Sequence, residues 1–138
     1  MSNITISISG VDVLTRKIQA FENKSSNWSQ ELFDIGIYLL RSQDLNFRDQ
    51  GRPVHWRLTA AAAARNGMTL VDTGRLRRSV SIFGNPDQKF EVKPMSLKIE
   101  TDVPYAKYLQ EEFKFIAIQD QDIPIIGRIM HDSIERIF

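Results

Sequence analysis

Near the start of the chain Ile4, Ile6 and Ile8 alternate with Thr5, Ser7 and Ser9. A period of two, rich in β-branched residues, predicts a strand with one buried face, ended by Gly10. The period then changes: Val11, Leu14, Ile18 and Phe21 recur at spacings of three and four, a helical stripe. The polar run 23–27 breaks this helix, and its serines offer N-caps to the next. The second helix carries two adjacent stripes, Trp28, Leu32, Ile35 and Leu39 beside Phe33, Ile37 and Leu40, and extends to about Phe47. So wide an apolar face predicts a central element lying across a sheet. Asp49, Gln50, Gly51, Arg52 and Pro53 follow as a loop, because Gly and Pro stop helices.

Five alanines between Thr59 and Arg65 predict a helix stopped at Asn66-Gly67. After Asp72-Thr73-Gly74 a short turn or helix is expected, capped by Asp72 or Thr73. Residues 79–83 and 90–92 read as strands joined through Gly84, Asn85, Pro86 and Asp87. Leu97 and Ile99, alternating with Lys98 and Glu100, add a half-exposed strand. Pro104 opens a short helix through Glu112, and residues 115–118 read as a last strand. A terminal helix from Asp120 or Asp122 carries the stripe Ile126, Met130, Ile134 and Ile137. The expected fold is α+β: a small antiparallel or mixed β-sheet packed against two or three helices, with a C-terminal helix. At 138 residues, without repeat or linker, a single domain is expected.

Composition narrows the chemistry. Without cysteine the chain has no disulfide, thiol nucleophile or thiolate metal site. The longest apolar run, 35–40, is far short of the ~20 residues of a membrane helix, so no membrane contact is expected. The opening residues lack the basic and apolar regions of a secretory signal. His55 and His131 sit in unrelated segments, and no metal-binding, phosphate-cradling or nucleophile motif is present. The pairs Glu111/Glu112 and Asp120/Asp122 read as a solvated helix end and a helix start that favours negative charge. The expectation is a protein without catalytic residues, cofactor or metal.

Net charge is only +1, yet residues 48–78 hold Arg48, Arg52, Arg57, Arg65, Arg75, Arg77 and Arg78 against Asp49 and Asp72, a local +5. Such a stretch suits phosphates or an acidic protein surface, and equally a solvated face balanced by acids elsewhere in the fold. Phe47 and Trp56 flank the Gly-Pro loop and are expected to pin it to the core. Tyr105 and Tyr108, three apart on one helical face, read as a lid over that core.

Taken in order, Phe47, Gly51-Arg52-Pro53, Trp56-Arg57-Leu58, the run from Leu70 through Thr73-Gly74-Arg75-Leu76-Arg77-Arg78-Ser79-Val80, and Val103-Pro104-Tyr105-Ala106 resemble the phage virion morphogenesis (tail completion) family of Mu- and P2-type tailed phages. The likeness covers most of the chain. It departs after Tyr105-Ala106, where Tyr108-Leu109-Gln110-Glu111-Glu112 replaces the family's His-Gln-x-Gly-like run. The resemblance implies a structural virion protein acting in tail completion and head-to-tail joining, as a neck, connector or tail-terminator ring. Phe47, Trp56, Thr73, Gly74 and Leu76 would be its structural motif. Its partners would be further copies in a homo-oligomeric ring, the connector, tail tube and sheath, and passing DNA touched without sequence reading. Its place would be the neck or tail end of the virion, and the host cytoplasm during assembly.

Candidate contacts to other subunits or partners are Ile4, Ile6, Ile8, Arg75, Arg77, Arg78 and Tyr105. The first strand lacks the lysine, proline or bulge that protects a free edge, so it is either central in its own sheet or paired with a neighbour. A nucleic-acid-binding module using the Arg48–Arg78 stretch is the alternative, and an enzyme ranks last.

Overall fold

The computed structural model describes residues 12–137, with side chains from residue 16 onward, so the expected strand at Ile4, Ile6 and Ile8 lies outside the described residues. The helices are α1 (Asp12–Ser25), α2 (Ser29–Arg48), α3 (Ala60–Ala64), α4 (Arg75–Ser81), α5 (Ala106–Phe113) and α6 (Ile123–Glu135). Two strands, β1 (Gln88–Lys93) and β2 (Ser96–Thr101), lie between α4 and α5. The architecture is α+β, with a small antiparallel sheet and a C-terminal helix.

The long helix α2 is the spine: both strands, α4 and α6 pack against it. Its stripe buries Ile35, Leu39, Leu40 and Phe47, and its flank buries the polar Glu31, Ser42, Gln43 and Asn46. Ser25 and Ser26 do not cap it. Their hydroxyls turn back to the carbonyls of Glu22 and Asn23 (both 2.9 Å) and finish α1 instead. Asn27 holds the start of α2, its Oδ1 accepting from the Ser29 N–H (3.1 Å) and hydroxyl (2.7 Å).

The hairpin pairs Gln88 with Thr101 through Lys93 with Ser96. Its inner face carries Phe90, Val92, Leu97 and Ile99, each half-buried; Lys89, Glu91, Lys93, Lys98 and Glu100 point to solvent. Gly36 lets the sheet approach α2. A Cβ there would sit 2.7 Å from Cε2 of Phe90, nearer still to the ring tip, and 3.2 Å from Leu97 Cδ1.

Two expected strands are absent. Residues 79–81 belong to α4, because helical spacing puts both Leu76 and Val80 into the core with Phe47, Val103, Ala106 and Phe115. Residues 115–118 pair with no strand. Their main chain bonds to side-chain amides: Asn46 Nδ2 donates to the Phe115 carbonyl (2.9 Å), Gln110 Nε2 to that of Ile116 (2.7 Å), and the Ile116 N–H to Gln110 Oε1 (3.0 Å). Amides thus satisfy three of these main-chain groups, and the segment is held without a partner strand.

Asp122 is also more than a helix-start charge. It is 1% exposed and accepts from the Tyr38 hydroxyl (2.7 Å), the Ser42 hydroxyl (2.9 Å to each carboxylate oxygen) and the Gln119 N–H (2.8 Å). Arg52 extends this network, donating to the Ser42 carbonyl and hydroxyl (both 2.7 Å) and to Asn46 Oδ1 (2.9 Å). The loop after α2, the α2 flank and the start of α6 are thereby tied together.

Candidate functional site: the groove beside the Thr73-Gly74 turn

The run Asp72-Thr73-Gly74 enters α4 with Gly74 in the left-handed region (φ 81°) as the N-cap. Neither Asp72 nor Thr73 occupies the cap position expected of them. Only a residue without Cβ takes this φ freely, and a Cβ here would lie 2.7 Å from Arg78 Nη1. Thr73 braces the turn from the preceding position. Its Oγ1 accepts from the Arg75 N–H (3.3 Å) and its carbonyl from Arg78 Nη1 (3.1 Å).

Beneath the turn Leu76 is buried against Phe47. Phe47 meets the Trp56 ring edge-on at 5.4 Å, and Trp56 meets Phe113 at 6.0 Å. The Gly-Pro loop is held from below in this way: Gly51, buried at φ 109°, leaves no room for a Cβ beside the Trp56 main chain. Above lies an open groove of about 600 Å³ whose walls include Arg57, Arg65, Thr73, Arg75, Tyr105 and Phe113. It joins the Thr73-Gly74-Arg75 run to Tyr105, which the sequence placed in separate segments.

The tyrosines are not a lid. Tyr105 is 45% and Tyr108 74% exposed, while Ala106 and Phe113 are the buried residues of α5. Tyr105 is the residue before the first helical position, so its side chain reaches the groove instead of the core.

The arginine stretch is mostly balanced by carboxylates. Arg57 pairs with Glu112 (2.6 Å), Arg75 with Asp87 (3.0 Å), Arg77 with Asp44 (2.8 Å), Arg48 with Asp49 (2.9 Å) and Arg65 with Asp72 (3.9 Å). Glu112, Asp87 and Asp44 come from outside residues 48–78, so folding offsets the local excess that the sequence displays. The hydrogen bond from Arg75, with its charge, holds the Asp87 carboxyl below its ordinary range, and the same bond raises Arg75. Arg57 also lies over the Phe113 ring, 5.4 Å from its centroid. Arg77 and Arg78 both line a second depression between α2 and α4, with Ile37, Ile82 and Phe83, while the Arg78 guanidinium also reaches the Thr73 carbonyl.

Sequence reasoning passed over Glu31. It is 3% exposed, paired with Lys24 and accepting from the Ser133 hydroxyl (2.8 Å). Burial pushes its carboxyl up, but the hydrogen bonds from Lys24 and Ser133, with the Lys24 charge, outweigh that and hold it low. The signal was a glutamate on the flank of an otherwise apolar stripe. On α6, His131 lies 3.9 Å from Asp132 and 3.7 Å from Glu135, all three exposed to solvent. No helix among the described residues is long and apolar enough to cross a membrane.

Comparison with models of known protein families finds no match. Comparisons with curated proteins and with solved structures likewise find none.

Proposed function

We propose that this chain is a structural virion protein of a tailed phage, acting in tail completion and head-to-tail joining as a homo-oligomeric ring. Two lines support the reading. One is the resemblance carried by Phe47, Trp56, Thr73, Gly74, Leu76 and Tyr105. The other, which carries it physically, is α6: Ile123 is exposed, Ile125, Ile126, Ile129, Met130 and Ile134 are half-buried, and none is fully buried. Apolar surface left open on a terminal helix suits burial between subunits better than lasting exposure to water. In this role the protein makes no chemical change. It works in the virion neck or tail end, assembled in the host cytoplasm, with connector, tube and sheath as neighbours and DNA passing through.

Light scattering after size exclusion, with negative-stain images of the same fractions, tests the reading. A closed ring of defined mass is expected. A strict monomer at high concentration that captures no tail component would overturn it. Salt-dependent DNA binding by that monomer would point instead to the nucleic-acid module, since phosphate contacts release counterions.

A further inference from the structure

Among the described residues the sheet consists of β1 and β2, and neither outer edge pairs with a further strand there. The Asp102 N–H donates to the Asp87 carbonyl (2.6 Å), which makes 87 and 102 a hydrogen-bonded pair. Antiparallel alternation then turns the main chain of Lys89 and Glu91 toward β2, and that of Phe90 and Val92 outward.

From Phe90 of β1 the apolar face continues into further rings. Phe90 meets Phe83 edge-on at 5.0 Å and Phe33 at 5.8 Å, and those two rings meet at 5.5 Å. This cluster is uncovered: Phe33 is 36% and Phe83 53% exposed, and Ile82, next to Phe83 in the chain, is 50% exposed. A sheet that buries one face on a helix and shows the other to water calls for a next strand with alternating apolar and polar residues. Outside the described residues the chain holds such a segment, Ile4-Thr5-Ile6-Ser7-Ile8-Ser9.

We propose that this segment, from a neighbouring copy, adds to the outer edge of β1 as a third strand. Ile4, Ile6 and Ile8 cover Phe33, Ile82 and Phe83, while Thr5, Ser7 and Ser9 join the outer face beside Lys89, Glu91 and Lys93. Main-chain hydrogen bonds supply affinity, and the isoleucines on the aromatic cluster fix the register. The uncharged outer residues set no like charge against the lysines or the glutamate. That the donor is another copy rests on the ring reading; the choice of edge rests on the position of the exposed aromatics.

The chain has no cysteine, which makes the test clean. Full-length Ile6→Cys protein is mixed with full-length Val92→Cys protein and oxidised, with Ile6→Cys plus Lys107→Cys as the control pair. A disulfide-linked dimer in the first mixture, absent from the control, is expected. The double variant Ile6→Cys/Val92→Cys cross-linking only within one chain would overturn the proposal, because the strand would then complete its own sheet. Absence of any cross-link would also overturn it. The mass of the unmodified protein separates the two readings. An oligomer without the cross-link defeats the strand addition alone, whereas a monomer defeats the ring and the addition together.

Discussion

Gly36 offers the sharpest test of how the hairpin sits on α2. In the interior of a helix, Gly→Ala gains about 0.8–1.0 kcal/mol of intrinsic propensity. Against that gain stands the Phe90 ring, 2.7 Å or less from the new methyl, and Leu97 Cδ1 at 3.2 Å. Overpacking of this kind costs roughly 1–3 kcal/mol. If the ring swings aside it loosens its edge contacts with Phe33 and Phe83, each worth about 0.5–1.5 kcal/mol. Gly36→Ala therefore ranges from near neutral to a loss of about 2 kcal/mol. Gly36→Val gives up most of the propensity gain and adds two further methyl groups, so about 3 kcal/mol or more is expected. Urea unfolding followed by circular dichroism measures both. The double variant Gly36→Ala/Phe90→Ala should lose less than the sum of its singles, because the ring that clashes is gone. Gly36→Val unfolding at the parent's midpoint would refute the close approach of sheet and helix.

Trp56→Ala should cost about 3 kcal/mol, the lower end of the core range, because the half-buried indole packs on both Phe47 and Phe113; an unchanged thermal melt would make Trp56 an exposed anchor instead. Asp122→Ala strands the Tyr38 and Ser42 hydroxyls and the Gln119 N–H, so a loss of at least about 3 kcal/mol is expected in urea, and less for Asp122→Asn. Glu31 has its folded value below the ordinary 4.5, so its contribution is complete above that value and disappears as pH falls through the lower, folded one. Ser133→Ala should raise the pH of acid unfolding, and an unmoved acid midpoint would show that the Ser133 bond to Glu31 contributes nothing there.

The long helix α2 could be read from spacing alone, since Ile35, Leu39 and Leu40 meet the core as a stripe. The hairpin was legible for the same reason: Phe90 and Val92 alternate with charges, as do Leu97 and Ile99. Residues 79–83 misled because Val80, Ile82 and Phe83 favour strands locally. Position, not propensity, decided there, with Leu76 and Val80 one helical turn apart over the same core. Residues 115–118 misled differently, since the amides of Asn46 and Gln110 that replace a partner strand come from other helices. The groove shows the same limit. Thr73, Gly74 and Arg75 announced a turn, but its opposite wall at Tyr105 and Phe113 is set by how α5 docks. Likewise no inspection of residues 48–78 could show that Glu112, Asp87 and Asp44 would answer its arginines.

The polar flank of α2 also sets an order in time. Its partners arrive late: Asn46 waits for Phe115, 69 residues on, Ser42 for Asp122, 80 on, and Glu31 for Ser133, 102 on. At a synthesis rate of about 5–20 residues per second, an 80-residue gap lasts roughly 4–16 s. During that interval α2 can form its own backbone bonds, and Lys24 and Arg52 are at hand for Glu31, Ser42 and Asn46, but water stands in for the Phe115 carbonyl, the Asp122 carboxylate and the Ser133 hydroxyl. Docking of the helix flank is therefore held back until residues 115–133 have been made. A chain terminated before Asp122 keeps Ser42 and Tyr38 without their acceptor and cannot settle into a smaller version of the fold. Where many copies must join, such a delay restricts the pool of joinable subunits to chains that already carry residues 115–133.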